Sequence, residues 1–289
     1  MSAPSQDHAG TGAGAAAPAG GAELLARWDA QQGAYIADRE GRFRLIAEVL
    51  ELALGPAPLI VDLACGPGSL GARLLDALPG ARVVGIDHDP LLLDVARSAL
   101  ASRYGERLTL LDGDLLDPGW PAAVSAALGG AAPAACVSTT ALHWLAPDQL
   151  VRVYGQAAEL LTPRGLLLNG DHFRFDGRDP TLRTLAAAHD EATQRAAHAA
   201  GAPTWEAWWE QARAGREALA QERERRFAGR DAIPPTAVDF QLAALAQAGF
   251  AEVGTVWQLL DGYVVFGRLR PAALTPCENS PEAPSRASE

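Results

Sequence analysis

Three aspartates stand at the ends of three short apolar runs, and a glycine loop follows the first. The runs are LIVDLACGPGSL (59–70), ARVVGIDHDP (81–90) and LTLLDGDLLDP (108–118). Gly66-Pro67-Gly68-Ser69-Leu70-Gly71 fits G-x-G-x-x-G, a pattern that by itself also suits a dinucleotide site. Charge argues against a phosphate here. Asp62 lies just before the loop, where a carboxylate would repel a pyrophosphate seated on the helix N-terminus. It would instead favour a ligand whose nearby end is cationic. Asp87, about 20 residues beyond the loop, is placed to accept ribose hydroxyls. Asp114, with Gly113 and Leu115 beside it, can accept an adenine amine next to an apolar slot. Farther on, His143, Asp171 and His172 follow two more apolar runs. An imidazole with an ordinary pKa near 6.5 can take a proton at neutral pH.

These residues need a frame that brings strand ends together. LIVDLA, ARVVGID, RLTLLDGD, the start of AACVSTTALHWL and LLLNGD read as five strands. Helical patterns separate several of them, and Asp89-Pro90 is a capped helix start. AELLARWDAQQGAYIADREGRFRLIAEVLELAL reads as helix in two pieces. AGFAEVGTVWQLLDGYVVFGRLR reads as an antiparallel hairpin turning at Leu260-Asp261-Gly262. The expected fold is α/β: a Rossmann-like parallel sheet with a C-terminal antiparallel hairpin and helices on both faces. A helical insert, 172–235, precedes the last two strands. Such sheets bind ligands at the carboxyl ends of their strands. The expected organisation is a cofactor domain of 21–171 plus 236–271, a helical lid of 172–235, and disordered tails at 1–20 and 272–289. The insert carries Trp205, Trp208 and Trp209, which suit either a lid over substrate or a small core of their own.

Bulk properties narrow the partners. The chain has 289 residues, a formal net charge of -11 and no lysine. A nucleic acid partner would want a basic face, so none is expected. Cys65, Cys136 and Cys277 show neither metal spacing nor a disulfide framework, and no metal is expected. No run approaches a membrane span and no signal peptide is evident, so a cytoplasmic location is expected. Oligomeric state cannot be read.

Asp62-x-x-x-Gly66-x-Gly68, Gly85-Ile86-Asp87 and Gly113-Asp114-Leu115, in this order and spacing, resemble the class I S-adenosylmethionine-dependent methyltransferases. The resemblance covers roughly 24–171 and 236–270. It departs at Ala64, where the family loop often has glycine. It implies S-adenosylmethionine as cofactor, whose ammonium and sulfonium suit Asp62. The implied cofactor residues are Tyr35, Arg39, Asp62, Ala64, Gly66, Gly68, Asp87, His88, Gly113, Asp114, Leu115 and Thr139. In the family, the segment after the fourth strand flanks the transferring methyl. Its Leu142-His143-Trp144-Leu145 is similar to the branch of trans-aconitate methyltransferase and natural-product methyltransferases. That implies a small-molecule acceptor, with Thr140, His143, Trp144, Trp205, Trp208 and Trp209 as its candidate contacts. Methyl transfer is an in-line displacement in which positioning supplies much of the rate. A base is needed only if the acceptor keeps its proton, and the candidates are His143, His172 and Asp171. A plainer reading of His143, as a helix-start residue packing on the ligand, stays open. Also open are a non-catalytic cofactor-binding protein and, on the glycine pattern alone, an NAD-type oxidoreductase.

Overall fold

The computed structural model describes residues 19–230 and 236–271. The expected tails therefore fall almost wholly outside the described residues, as does 231–235 of the insert. Five parallel strands form the sheet: β1 (Leu59–Leu63), β2 (Arg82–Asp87), β3 (Leu108–Asp112), β4 (Ala135–Thr139) and β5 (Leu166–His172). β6 (Glu252–Leu259) and β7 (Gly262–Arg268) form the hairpin, and β7 runs antiparallel to β5. The order is β3-β2-β1-β4-β5-β7-β6. The central strands are continuous apolar runs because both of their faces are covered. β6 is the outer edge strand: much of it is exposed, and its pairing shifts between Thr255 and Trp257. Edge irregularities of this kind discourage pairing with another chain.

Helices coat both faces. α1 (Gly21–Tyr35), α2 (Arg39–Leu54), α3 (Ser69–Ala77) and α4 (Pro90–Tyr104) bring Leu24, Phe43, Leu70 and Leu91 to one face, over Ile60, Val83, Ala135 and Leu166. α5 (Trp120–Ala127), α6 (Pro147–Leu160) and α10 (Val238–Gln247) bring Trp120, Leu150 and Leu245 to the other, over Val61, Val84, Cys136 and Leu167. Adjacent strand residues thus serve opposite cores, as the two-residue period demands. α5 and α10 go beyond the helices expected from sequence. The insert supplies α7 (Pro180–Ala199), α8 (Trp205–Arg213) and α9 (Glu217–Phe227). None of the described helices is long and apolar enough to cross a membrane.

The two readings of the insert's tryptophans separate here. Trp208 is fully buried and Trp209 nearly so, and Trp208 Nε1 donates to Leu24 O at 3.0 Å. Both rings lie against Trp28 of α1, with centroids 4.7 and 6.3 Å away. Trp205 also touches Trp28 but is partly exposed. These rings dock α8 onto α1. The Trp208 indole finds its hydrogen-bond partner in the backbone of the helix it covers, whereas Trp209 Nε1 is buried without one among the described residues.

Candidate active site

The cofactor end is built on three neighbouring strands, each bringing an acid to its carboxyl end. Asp62 of β1 is buried, and among the described residues its carboxylate accepts one hydrogen bond, from Gly71 N at 3.2 Å. Burial pushes its pKa up to about 8, against the pull of the Gly71 N–H and helped by Asp87. Asp87 of β2 ties the loop together: it accepts from Gly66 N at 2.7 Å and from Asp89 N at 2.8 Å. Burial raises it to about 6 despite those bonds. Asp89 caps α4 through Leu91 N and Leu92 N, and Pro90 opens the helix. Asp114, two residues past β3, accepts from Leu116 N at 3.0 Å and from Arg230 Nη2 at 2.5 Å. His88 Nε2 lies 3.8 Å from the same carboxylate. Gly113 N donates to Asp87 O, and Leu115 is buried beside it.

The loop is left-handed at three positions: Ala64 (φ 53), Gly66 (φ 55) and Gly68 (φ 82). Gly68 also lacks space, since a Cβ there would come 2.7 Å from Leu100 Cδ1. Ala64 occupies a conformation that costs an L-residue about 1–2 kcal/mol. Its departure from the family glycine is therefore a local strain. These features suit S-adenosylmethionine. A buried carboxylate with a single backbone donor calls for a cationic partner, and an ammonium supplies one.

Tyr35 and Arg39 sit at the junction of α1 and α2. Arg39 is buried, donates to Asp29 Oδ1 at 2.9 Å and lies over the Phe43 ring. Asp29 also accepts from Ser69 Oγ at 2.6 Å and pairs with Arg73 at 2.7 Å. It joins α1, α2 and the first turn of α3 above the loop. Sequence reasoning missed Asp29, because its partners are 10 and 40 residues away and no local pattern marks it. Tyr35 turns its ring edge-on to His198 of α7, with centroids 6.2 Å apart.

The residues expected at the acceptor end lie past β4 and β5. Leu142–Trp144 form a 3-10 turn that brings His143 Nδ1 to both Asp171 oxygens, at 2.9 and 3.0 Å. His143 N also points to Asp171, at 3.3 Å, and His172 N donates to it at 2.8 Å. Burial alone would raise the Asp171 pKa and lower that of His143. Their mutual attraction outweighs burial in both, leaving Asp171 lowered and His143 raised. Thr139 and Thr140 lie beside this pair, their hydroxyl oxygens 3.2 Å apart, and Thr140 N donates to Gly170 O. Trp144 is 63% exposed, its ring 5.2 Å from that of His143. Among the described residues, none of the insert's tryptophans has a ring contact with either.

His172 points elsewhere. Both of its ring nitrogens are buried without a hydrogen bond, and Asp261 is 3.7 Å away. His172, Asp190 and Asp261 could offer ligand atoms within 4.8 Å of one another. Arg174 already bridges both carboxylates at 2.7 Å each, which supplies the positive charge that an ion would bring. Arg42 of α2 is a further buried group that the sequence did not mark. Its Nε and Nη1 make no hydrogen bond, and burial lowers its pKa to about 10, with Asp171 the foremost opposing charge.

Parts of the chain are similar to known proteins. Residues 60–165 match the family model described as a methyltransferase domain. Over 57 residues the chain is 46% identical to ribosomal RNA small subunit methyltransferase H of Mycobacterium tuberculosis (strain ATCC 25618 / H37Rv), covering 20% of this chain and 14% of that protein. Over 105 residues it is 36% identical to trans-aconitate 2-methyltransferase of Sinorhizobium fredii (strain NBRC 101917 / NGR234), covering 35% and 36%. The chain therefore spans only between 14% and 36% of the length of these curated relatives. An O-methyltransferase family protein from Burkholderia thailandensis has a similar fold, with a TM-score of 0.52 at 17% identity over 87% of this chain and 70% of that one. The matched residues include the strands and loop that carry the three acids, so this part of the chain is similar to methyltransferase domains, and its fold is that of the O-methyltransferase family protein.

Proposed function

We propose that the protein transfers a methyl group from S-adenosylmethionine to a hydroxyl of a small molecule, with His143 as the base and Asp171 as its positioning partner, acting in the cytoplasm. The carrying observation is the contact of His143 Nδ1 with both oxygens of the buried Asp171. It fixes the tautomer: Nδ1–H donates to the carboxylate, and Nε2, with no protein partner among the described residues, is the proton acceptor. Asp62, Asp87 and Asp114 would hold the ammonium, ribose and adenine of the cofactor, and Tyr35 and Arg39 would close the methionyl end. The bound cofactor supplies a methyl group on a sulfonium, already activated for displacement. His143 Nε2 takes the proton of the acceptor hydroxyl as its oxygen becomes the nucleophile. Thr139 and Thr140 line the approach, and the exposed Trp144 ring offers an apolar face to the acceptor. A chain with a net charge of -11 suits a small acceptor better than a nucleic acid.

Calorimetry with S-adenosylhomocysteine comes first, followed by labelled-methyl transfer to panels of small hydroxyl, amine and carboxylate acceptors. The proposal expects binding, and transfer to hydroxyl acceptors that is lost in His143→Gln. No binding sinks the proposal. Binding without transfer to any acceptor returns the protein to the non-catalytic reading. Titration with NADH tests the oxidoreductase alternative, which Asp62 beneath the loop disfavours.

A further inference from the structure

One face of α9 is basic and is engaged at the nucleoside end of the sheet. Arg223 Nε donates to Asp89 Oδ2 at 2.5 Å, and its guanidinium lies 4.0 Å from the Trp209 ring centroid. Arg226 grips both oxygens of Asp112, at 2.6 and 3.0 Å, and donates to His88 O at 3.0 Å. Phe227 lies against the His88 ring, centroids 5.5 Å apart. Arg230, just past the helix, holds Asp114 and lies over the Phe227 ring at 5.2 Å. Residues 223, 226 and 227 share one helix face by the three- and four-residue spacing.

These contacts fall into two groups. Asp89 caps a helix and Asp112 belongs to β3, so Arg223 and Arg226 anchor α9 to groups that no ligand needs. Phe227 and Arg230 instead cover His88, one of the implied cofactor residues, and Asp114, the residue read as the adenine acceptor. A planar base between two rings needs roughly two van der Waals gaps, about 7 Å, and the rings are 5.5 Å apart. Asp114 has one oxygen committed to Leu116 N and the other to Arg230.

We propose that the end of α9 is a latch over the adenine slot, with Arg230 and Phe227 holding Asp114 and His88 until the adenine of the cofactor takes their place. The inference rests on the reading of Asp114 as the adenine acceptor and of His88 as a cofactor contact beside it. Arg223 and Arg226 keep α9 docked while the Phe227 side chain and the chain just past the helix, with Arg230, swing away, so entry and exit need only a local movement. Opening breaks an ion pair, which gives the latch a salt dependence that adenine, being uncharged, does not share.

The test is calorimetric titration of S-adenosylhomocysteine, itself without net charge, into the full-length wild type, Arg230→Gln and the control Arg152→Gln. Arg152 pairs with Asp148 on the surface of α6. A partly exposed pair is worth little, so Arg230→Gln is expected to bind roughly two- to fivefold more tightly at low salt. Raising the salt is expected to tighten the wild type and Arg152→Gln toward Arg230→Gln, which itself changes little. Thermal melts of the three proteins verify that all are folded. Wild-type binding that Arg230→Gln leaves equal or weakens overturns the latch alone. Absence of binding by the wild type overturns the nucleoside reading and the latch with it.

Discussion

The two ends of the site are held in different ways. At β1 to β3 the acids are seated by backbone N–H groups, Asp62 by Gly71 N, Asp87 by Gly66 N and Asp89 N, and Asp114 by Leu116 N, with Arg230 as a side-chain partner of Asp114. At β4, β5 and the hairpin, side chains distant in sequence hold one another. His143 meets Asp171 across 28 residues, and Arg174 meets Asp261 across 87. Backbone-seated groups suit a constant ligand. A side-chain pair that depends on the rest of the fold leaves the acceptor end open to variation, because function is grafted onto a shared scaffold.

The comparison breaks most visibly at Asp171. Asp171→Asn removes the group that fixes the His143 tautomer, so kcat should fall by about 10²–10⁴-fold. Affinity for S-adenosylhomocysteine should stay near wild type, and a parallel loss of binding would show that the two ends are not separable. The pH profile carries the same information. His143, raised above 6.5, must be neutral to act, so kcat/KM should climb with pH through a midpoint above 6.5. The midpoint should move down in Asp171→Asn as the attraction is lost. For stability, the raised His143 pKa contributes fully below 6.5 and is lost as pH rises through the folded value. The lowered Asp171 pKa contributes above 3.8 and is lost as pH falls through its folded value. The pair therefore stabilises the fold most between these two pH values, which urea midpoints against pH would reveal.

Asp87→Ala is the converse experiment. It removes the carboxylate proposed to accept the ribose and leaves the Gly66 and Asp89 N–H groups without their partner, each costing about 1–3 kcal/mol. S-adenosylhomocysteine affinity should drop by about 100-fold, an effect of roughly 2.7 kcal/mol, and the melting temperature should fall with it. Unchanged affinity in a folded variant would remove Asp87 from the site.

A smaller signal tests Asp62. With its pKa near 8, it is mostly protonated in the free protein at pH 7. An ammonium beside it favours the carboxylate, so binding should release up to one proton and tighten as pH rises toward 8. Calorimetry in buffers of different ionisation enthalpy measures this, and zero release would mean that the ammonium sits elsewhere.

The smallest effect belongs to the loop. Ala64→Gly relieves a left-handed alanine worth about 1–2 kcal/mol but adds unfolded-state entropy worth about 0.4–1 kcal/mol. The net gain should be about 0.5–1 kcal/mol, or a rise in melting temperature of about 1–3 °C. A fall would mean that the methyl group is needed for packing.

What the chain could tell by itself was whatever short-range order encodes. The strand runs, the Asp89-Pro90 cap, the Leu260-Asp261 turn and the acids at strand ends are all set within a few residues, so periodicity and turn chemistry reveal them. The adjacency of His143 and Asp171 was half-legible, as two polar residues ending neighbouring strands. Other features were silent because they are contacts between distant elements. No local pattern marks Asp29, whose role appears only where α2 and α3 converge on it. No local pattern marks Arg223, Arg226 and Arg230, and only the folded insert brings them to Asp89, Asp112 and Asp114. Burial and long-range pairing decide such roles, and both are properties of the assembled core: local sequence chose the helix and the strand end, and tertiary packing chose which arginine met which acid.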